Sequence, residues 1–317
     1  MLPSQDNTSL SNGSEEIHEY ALLAEAQNTK RAYASDWKDF TSWCEKRRHH
    51  PFPALPDNVA MYLRECAEKH HLKISTIKRR LAAISDIHKR NGYSPPTTEW
   101  IVRNTIKHLT RNISEQTESK RPILVADLKL MLKHCPETLP GLRDKAILLF
   151  GFVGAFRRAE LVGINVDDLS ISDQGIVVTI RDPNSARNKE SRKVAIPYGR
   201  DLTTCPVRTL LRWLKESSIA EGALFRAVTK SGRPRTTRMN DRAVSAIVKR
   251  YCKLIGKKNA HFSSHSLRSG LATSAAMAGA SESSIQKQTG HKSLIMLRKY
   301  IGDAALFREN VALKLGL

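Results

Sequence analysis

Four pieces of sequence in the second half of the chain hold side chains suited to handling a phosphate. "GAFRRAELVGI" places Arg157, Arg158 and Glu160 at the end of an apolar run. "HSLRSG" sets His265 and Arg268 three apart, so both fall on one face of a helix. "GHKSLIMLRKY" opens with Gly290 and His291 and closes, nine residues after the histidine, on Tyr300. A guanidinium fork matches a pair of phosphate oxygens, and an imidazole exchanges a proton near neutral pH. Taken singly, each piece has a plainer reading. H-x-x-R is a common surface pair, Arg-Arg-x-Glu is an ion-paired helix end, and a tyrosine ending a helix packs with its hydroxyl in water.

The bulk charge favours a polyanion as partner. Fifty-two Lys+Arg against 31 Asp+Glu give a net charge of +21 over 317 residues. A surplus of that size attracts nucleic acid and makes binding salt-dependent. An anionic membrane surface fits less well, since neither terminus carries a basic amphipathic helix. No apolar run approaches the roughly 20 residues that cross a bilayer. "MLPSQDNTSLSNGSEE" lacks the basic and apolar regions of a secretory signal, so residues 1–16 read as a polar, disordered tail. The five scattered cysteines form no C-x-x-C pair. They read as reduced thiols of a cytoplasmic protein, with neither disulfide framework nor metal site.

Positioning these groups takes two domains, and the chain is long enough for both. The first half is helical. "NTKRAYASDWKDFTSWCEKR" carries Tyr33, Trp37, Phe40 and Trp43 in one apolar stripe, with Asn28 or Thr29 as N-cap. "PFPALP" breaks that helix, and Asp57 caps the next. A third helix runs from Ser75 to Gly92 with Ile77, Leu81, Ile84 and Ile87 inward, and "PPTTEWIVRNTIKHLTRN" supplies a fourth. The polar stretch 112–121, followed by Pro122, marks a linker between a domain at 17–111 and another at 122–317. The second half mixes helices with "GIVVTI" and "RKVAIP", an antiparallel hairpin around the loop "RDPNSARNKES". The predicted fold class is mainly α, with a mixed, mostly α second domain holding a small antiparallel sheet.

Together and in this order, the four pieces resemble the tyrosine recombinase, or phage integrase, family. Its pattern is an arginine in G-x-x-R-x-[SA]-E-L, a lysine on a β-hairpin, then H-x-x-R, then Gly-His and a tyrosine nine residues on. Arg157, His265, Arg268, His291 and Tyr300 stand at the matching positions. "NTKRAYASDWKDFTSWC" and "STIKRRLAAISDIHKRNG", the first and third helices, resemble the family's N-terminal core-binding domain, so the resemblance spans about residues 17–317. It implies a site-specific recombinase that cuts DNA without metal or other cofactor. Arg157 and Arg268 would bind the non-bridging oxygens, His265 would assist proton removal from Tyr300, and His291 would donate to a phosphate oxygen. Tyr300 would form a 3′-phosphotyrosyl bond that stores the energy for rejoining. The implied partner is duplex DNA, clamped between the two domains by a homo-tetramer acting on two sites through a Holliday junction. "ALFRENVALKLGL" would dock on a neighbouring protomer. Thr29, Lys30 and Arg31, with Ser75, Thr76, Lys78 and Arg79, are the candidate DNA contacts of the N-terminal domain.

Two points qualify the match. At roughly 100° per residue, nine positions on a straight helix put His291 and Tyr300 on opposite sides. Both reach one phosphate only if Gly290 and His291 form a turn and Tyr300 sits on a separate, mobile element. The second point is a departure: Asn184 stands where relatives carry the hairpin lysine, and asparagine cannot act as a general acid. Lys189 is the candidate replacement, with Arg187 beside it. A rival from another class is a catalytically impaired DNA-binding protein on this scaffold. A topoisomerase of the same chemistry is a weaker third.

Overall fold

The computed structural model describes residues 27–113, 120–181, 191–229, 231–291, 293–295, 297, 298 and 300. The expected N-terminal tail, the loop residues Asn184, Arg187 and Lys189, and the C-terminal segment after Tyr300 lie outside them. The described residues form two compact units, 27–113 and 120–300.

The first unit holds α1 (Gln27–Lys46), α2 (Pro56–Glu68), α3 (Ile74–Arg90) and α4 (Trp100–Asn112), with a short 3-10 turn at Pro96–Thr98. Along the aromatic stripe of α1, Phe40 and Trp43 are buried while Tyr33 and Trp37 are half-buried. Phe40 and Trp43 pack against Tyr62 of α2, and Ile77, Ile84 and Val102 complete the core. Polar ties fasten the helices. Asp36, 4% exposed, accepts from Arg79 Nε and Nη2 at 2.8 and 3.0 Å. Arg80 Nη1 donates to Asp39 at 2.6 Å and to the Tyr62 hydroxyl at 2.9 Å.

The helix starts differ from those expected. Thr29 lies inside α1, which already runs from Gln27. Leu55, not Asp57, caps α2, because the fixed φ of Pro56 suits the first helical position. Asp57 is left in the first turn, where its charge complements the helix dipole. Ser75 likewise falls one residue inside α3, which is capped by Lys73 without a side-chain bond.

The second unit begins with α5 (Val125–Lys133), α6 (Leu139–Val153) and α7 (Arg158–Gly163). A three-stranded antiparallel sheet follows: β1 (Leu169–Ile171), β2 (Gly175–Arg181) and β3 (Ser191–Pro197), in that order. The expected hairpin is β2–β3, in a register that sets Ile176 opposite Ile196 and Ile180 opposite Arg192. At three residues, β1 is too short to show alternation in the sequence. Next come α8 (Pro206–Ser217), a ribbon of β4 (Arg226–Val228) and β5 (Pro234–Arg238), α9 (Asp241–Leu254), α10 (His265–Met277) and α11 (Glu282–Thr289). The unit is centred on α6, where Ala146 to Phe150 are all buried, with Trp213 of α8, Phe225 and Leu267 of α10 in the same core. All five cysteines are free and buried.

Helix α10 lies unusually close to its support. Ile123 N donates to Ser266 O at 3.0 Å, and a methyl on Gly270 would overlap the Ile123 carbonyl and press on the Phe152 ring. Gly270→Ala is therefore expected to cost about 1–3 kcal/mol through overpacking. Urea denaturation should show a lower midpoint with an unchanged slope; an unchanged midpoint would mean that α10 has room to spare.

Candidate active site

The chain turns sharply after α6. Phe156 is buried, and its ring occupies the space that a side chain on Gly154 would need. Ala155 adopts a left-handed φ of 47°, and its carbonyl accepts from Arg268 Nη1 at 2.6 Å. Arg157 then becomes the N-cap of α7. Its backbone N–H donates to Glu160 Oε2 at 2.9 Å and its Nη1 to Oε1 at 2.6 Å. Nη2 reaches the Gly290 carbonyl at 3.5 Å. Glu160 also pairs with Arg192 of β3 at 3.3 Å, and Arg192 Nη1 donates to Gln288 O at 2.8 Å.

Five sequence-predicted groups meet here. Arg268 is 1% exposed, and its Nη2 is buried with no partner among the described residues. Burial first, then the Arg157 charge, pushes Arg268 down to about 10, so it stays a cation near neutral pH. His265, the first residue of α10, places Nε2 2.7 Å from the Tyr300 hydroxyl. Tyr300 lies between two imidazoles, its ring centroid 5.5 Å from His265 and 5.8 Å from His291. Its backbone carbonyl accepts from Thr273 Oγ1 at 2.9 Å. Burial raises the Tyr300 pKa while Arg268 lowers it. His291 Nδ1 lies 2.7 Å from Thr289 Oγ1.

The expected break between His291 and Tyr300 is present. Gly290 ends α11 at φ 65°, His291 is non-helical, and helical geometry resumes at Leu294. A side chain on Gly290 would collide with the Arg192 guanidinium. Leu297, fully buried against Ala272, Ala276 and Ile285, seats the stretch that carries Tyr300. Arg298, the basic neighbour of Tyr300, pairs with Glu282 at 3.1 Å and so braces α11. Arg158 pairs with Asp241 of α9 at 3.0 Å, which leaves Arg157 as the arginine of this cluster. Lys189, the sixth predicted group, lies outside the described residues.

Sequence reasoning missed Arg192, and a signal for it exists. On β3 the buried positions are Val194 and Ile196, and Arg192 shares their face. A charge on the apolar face of an alternating strand asks for a partner, here Glu160. Thr289, Gln288 and Thr273 were also missed, and their types alone gave no signal. Among the candidate DNA contacts of the first unit, Lys30, Arg31, Ser75, Lys78 and Arg79 are exposed while Thr29 and Thr76 are half-buried. Arg79 commits two donors to Asp36, so it serves the fold as well.

The profile of the Phage integrase family matches residues 123–305, and that of the phage integrase N-terminal SAM-like domain matches residues 18–90. The chain belongs to the phage integrase family. An integrase/recombinase XerD homolog of Selenomonas ruminantium is 37% identical over 291 residues, covering 90% of this chain and 85% of its own. The Cre recombinase of Escherichia phage P1 is 24% identical, covering 87% and 84%. Among solved structures, the Tn1549 transposon integrase in complex with circular intermediate DNA shares the fold. Its TM-score is 0.61 at 19% identity, over 94% of this chain and 98% of that one. The chain is a tyrosine-type site-specific recombinase, and the geometry above is that of its candidate active site.

Burial first, then the charges of Arg268 and Arg157, hold His265 below the ordinary histidine value of 6.5. In the role expected of His265, only the neutral ring can accept the phenol proton. Competence is therefore present above the site pKa and lost as pH falls through it. Covalent attachment to DNA at subsaturating concentration is expected to show an acid limb below 6.5, absent in His265→Gln. An acid limb above 6.5 would remove His265 from this role.

Proposed function

We propose that Tyr300 cuts one strand of duplex DNA at a specific site and holds it as a 3′-phosphotyrosyl ester until a 5′-hydroxyl displaces the tyrosine. The observation that carries this reading is the Tyr300 hydroxyl bonded to His265 beside a buried Arg268 whose Nη2 has no partner among the described residues. Arg268 Nη2 and Arg157 bind the non-bridging oxygens and stabilise the charge that builds up as the phosphorus becomes five-coordinate. His265 takes the phenol proton as the Tyr300 oxygen attacks. The bond to the 5′-oxygen breaks, and that oxygen leaves with a proton from a general acid. One phosphoester replaces another, so no energy source is consumed and rejoining is the reverse step.

The domains proposed are 17–111 for core binding, 112–121 as linker and 122–317 for catalysis. Lys30, Arg31 and Lys78 add backbone contacts to DNA, whose strength falls steeply with salt. Four protomers act on two sites through a Holliday junction, in the cytoplasm of a bacterium. The C-terminal segment after Tyr300 docks on a neighbouring protomer.

A nicked suicide substrate tests the reading, because the cleaved strand diffuses away and traps the ester. The wild type should yield an adduct that survives denaturation. Tyr300→Phe should yield none while binding the site nearly as well, since the ring still packs. Reversible binding alone in the wild type would favour the DNA-binding rival.

The leaving-group acid is proposed to be Lys189. Asn184 has no proton to give, and arginine holds its proton too tightly to be a ready donor. Lys189→Ala should slow cleavage of an ordinary phosphodiester far more than Asn184→Ala does. A bridging 5′-phosphorothiolate, whose sulfur leaves without protonation, should rescue Lys189→Ala and leave Arg157→Ala impaired. Cleavage of ordinary DNA by Lys189→Ala at the wild-type rate would assign the acid elsewhere.

A further inference from the structure

Thr289 is the last residue of α11 and is fully buried. Its Oγ1 lies 2.7 Å from the Ile285 carbonyl, 3.4 Å from the Gln286 carbonyl and 2.7 Å from His291 Nδ1. A hydroxyl has one proton, and a carbonyl has none to offer. The threonine proton must point to the carbonyls, since bare oxygens at 2.7 Å would repel. The contact to His291 is then an Nδ1–H donating to Thr289 Oγ1. A neutral imidazole carries one ring proton, so Nε2 is left without one. The backbone holds the ring in place: Gly290 is left-handed at φ 65°, and Gln286 Nε2 donates to His291 O at 3.0 Å.

We propose that Thr289 is a positioning residue that fixes His291 in the Nδ1–H tautomer and so makes Nε2 the atom that is protonated from solvent and hydrogen-bonds the substrate. The second half of this statement rests on the reading of the site as a phosphodiester site. The charged and titratable groups facing the ring are Arg157 at the start of α7, Arg192 of β3, and His265 and Arg268 of α10. Tyr300 lies alongside, and Glu160 pairs with Arg157 and Arg192. In the DNA-free site, burial and these cations push His291 down to about 4, so its Nε2 is bare near neutral pH. A phosphodiester brings a negative charge among the cations and reverses the balance. Nε2 then takes one proton from solvent and donates a hydrogen bond to a non-bridging oxygen. That proton stays on the imidazole while the Tyr300–phosphorus bond forms and the bond to the 5′-oxygen breaks, and it returns to solvent when DNA leaves.

Nitrogen-15 NMR of the full chain with labelled histidine tests the tautomer, the His291 signals being those lost in His291→Gln. Without DNA at neutral pH, Nδ1 should be protonated and Nε2 bare. Thr289→Val should move His291 towards the Nε2–H form, and Thr289→Ser should restore Nδ1–H. An Nε2–H ring in the wild type overturns the proposal even if Thr289→Val fails to fold, and so does an unchanged tautomer in Thr289→Val. Kinetics test the consequence. On the bridging 5′-phosphorothiolate, which needs no leaving-group acid, the alkaline limb of covalent attachment reports loss of the His291 proton. It should vanish in Thr289→Val, whose neutral ring can already donate from Nε2, and persist in Thr289→Ser. A wild-type alkaline limb in Thr289→Val also overturns the proposal. An adduct formed by Tyr300→Phe would instead sink the reading of the site, leaving the tautomer result standing.

Discussion

Arg268 sets the terms for the rest of the second unit. A guanidinium that is 1% exposed loses most of its hydration, and the fold returns one strong bond, to the Ala155 carbonyl, while Nη2 has no partner among the described residues. Two further guanidiniums, of Arg157 and Arg192, share the single carboxylate of Glu160. Such a cluster opposes its own folding by like-charge repulsion, and an anion relieves it. The surrounding architecture holds the cations in place meanwhile. Phe156 plugs the core so that Ala155 can turn its carbonyl towards Arg268, and Gly270 lets α10 lie directly on the Ile123 backbone.

The same cations decide the protonation of their neighbours. Both imidazoles are held below the ordinary histidine value, His265 by burial and then by Arg268 and Arg157, His291 by burial and the same arginines. A neutral His265 is what the Tyr300 hydroxyl requires as an acceptor. The cluster of fixed positive charge thus keeps neutral the imidazole that faces the Tyr300 hydroxyl, with no carboxylate partner behind it among the described residues.

How much of this is legible in the sequence depends on what a residue does. Arg157, His265, Arg268, His291 and Tyr300 are legible by type and order, and the fold brings the five together. The helices of the first unit are legible because Phe40 and Trp43 repeat at helical spacing, yet their starts are misjudged by a residue or two. There, Pro56 at the first turn outweighs the capping preference of Asp57. Thr289 and Thr273 are placed by the fold, and a threonine whose oxygen also accepts from an imidazole looks the same in sequence as one that only back-bonds to its helix. Arg192 falls between: its charge breaks the apolar face of β3, but Glu160, which explains it, lies 32 residues away.

Tyr300 is held on different terms from the cations. Its segment resumes helical geometry only after the break at Gly290 and, among the described residues, touches the body of the unit through Leu297, Thr273, His265 and the Arg298–Glu282 pair. Burying one leucine contributes about 1.5–3 kcal/mol. Each of the two hydrogen bonds adds about 1 kcal/mol net. Arg268, by contrast, is built into the α6–α10 core and cannot leave without unpacking it. Arg268 is thus fixed by the core, while Tyr300 rides on a segment joined to it across the left-handed turn at Gly290.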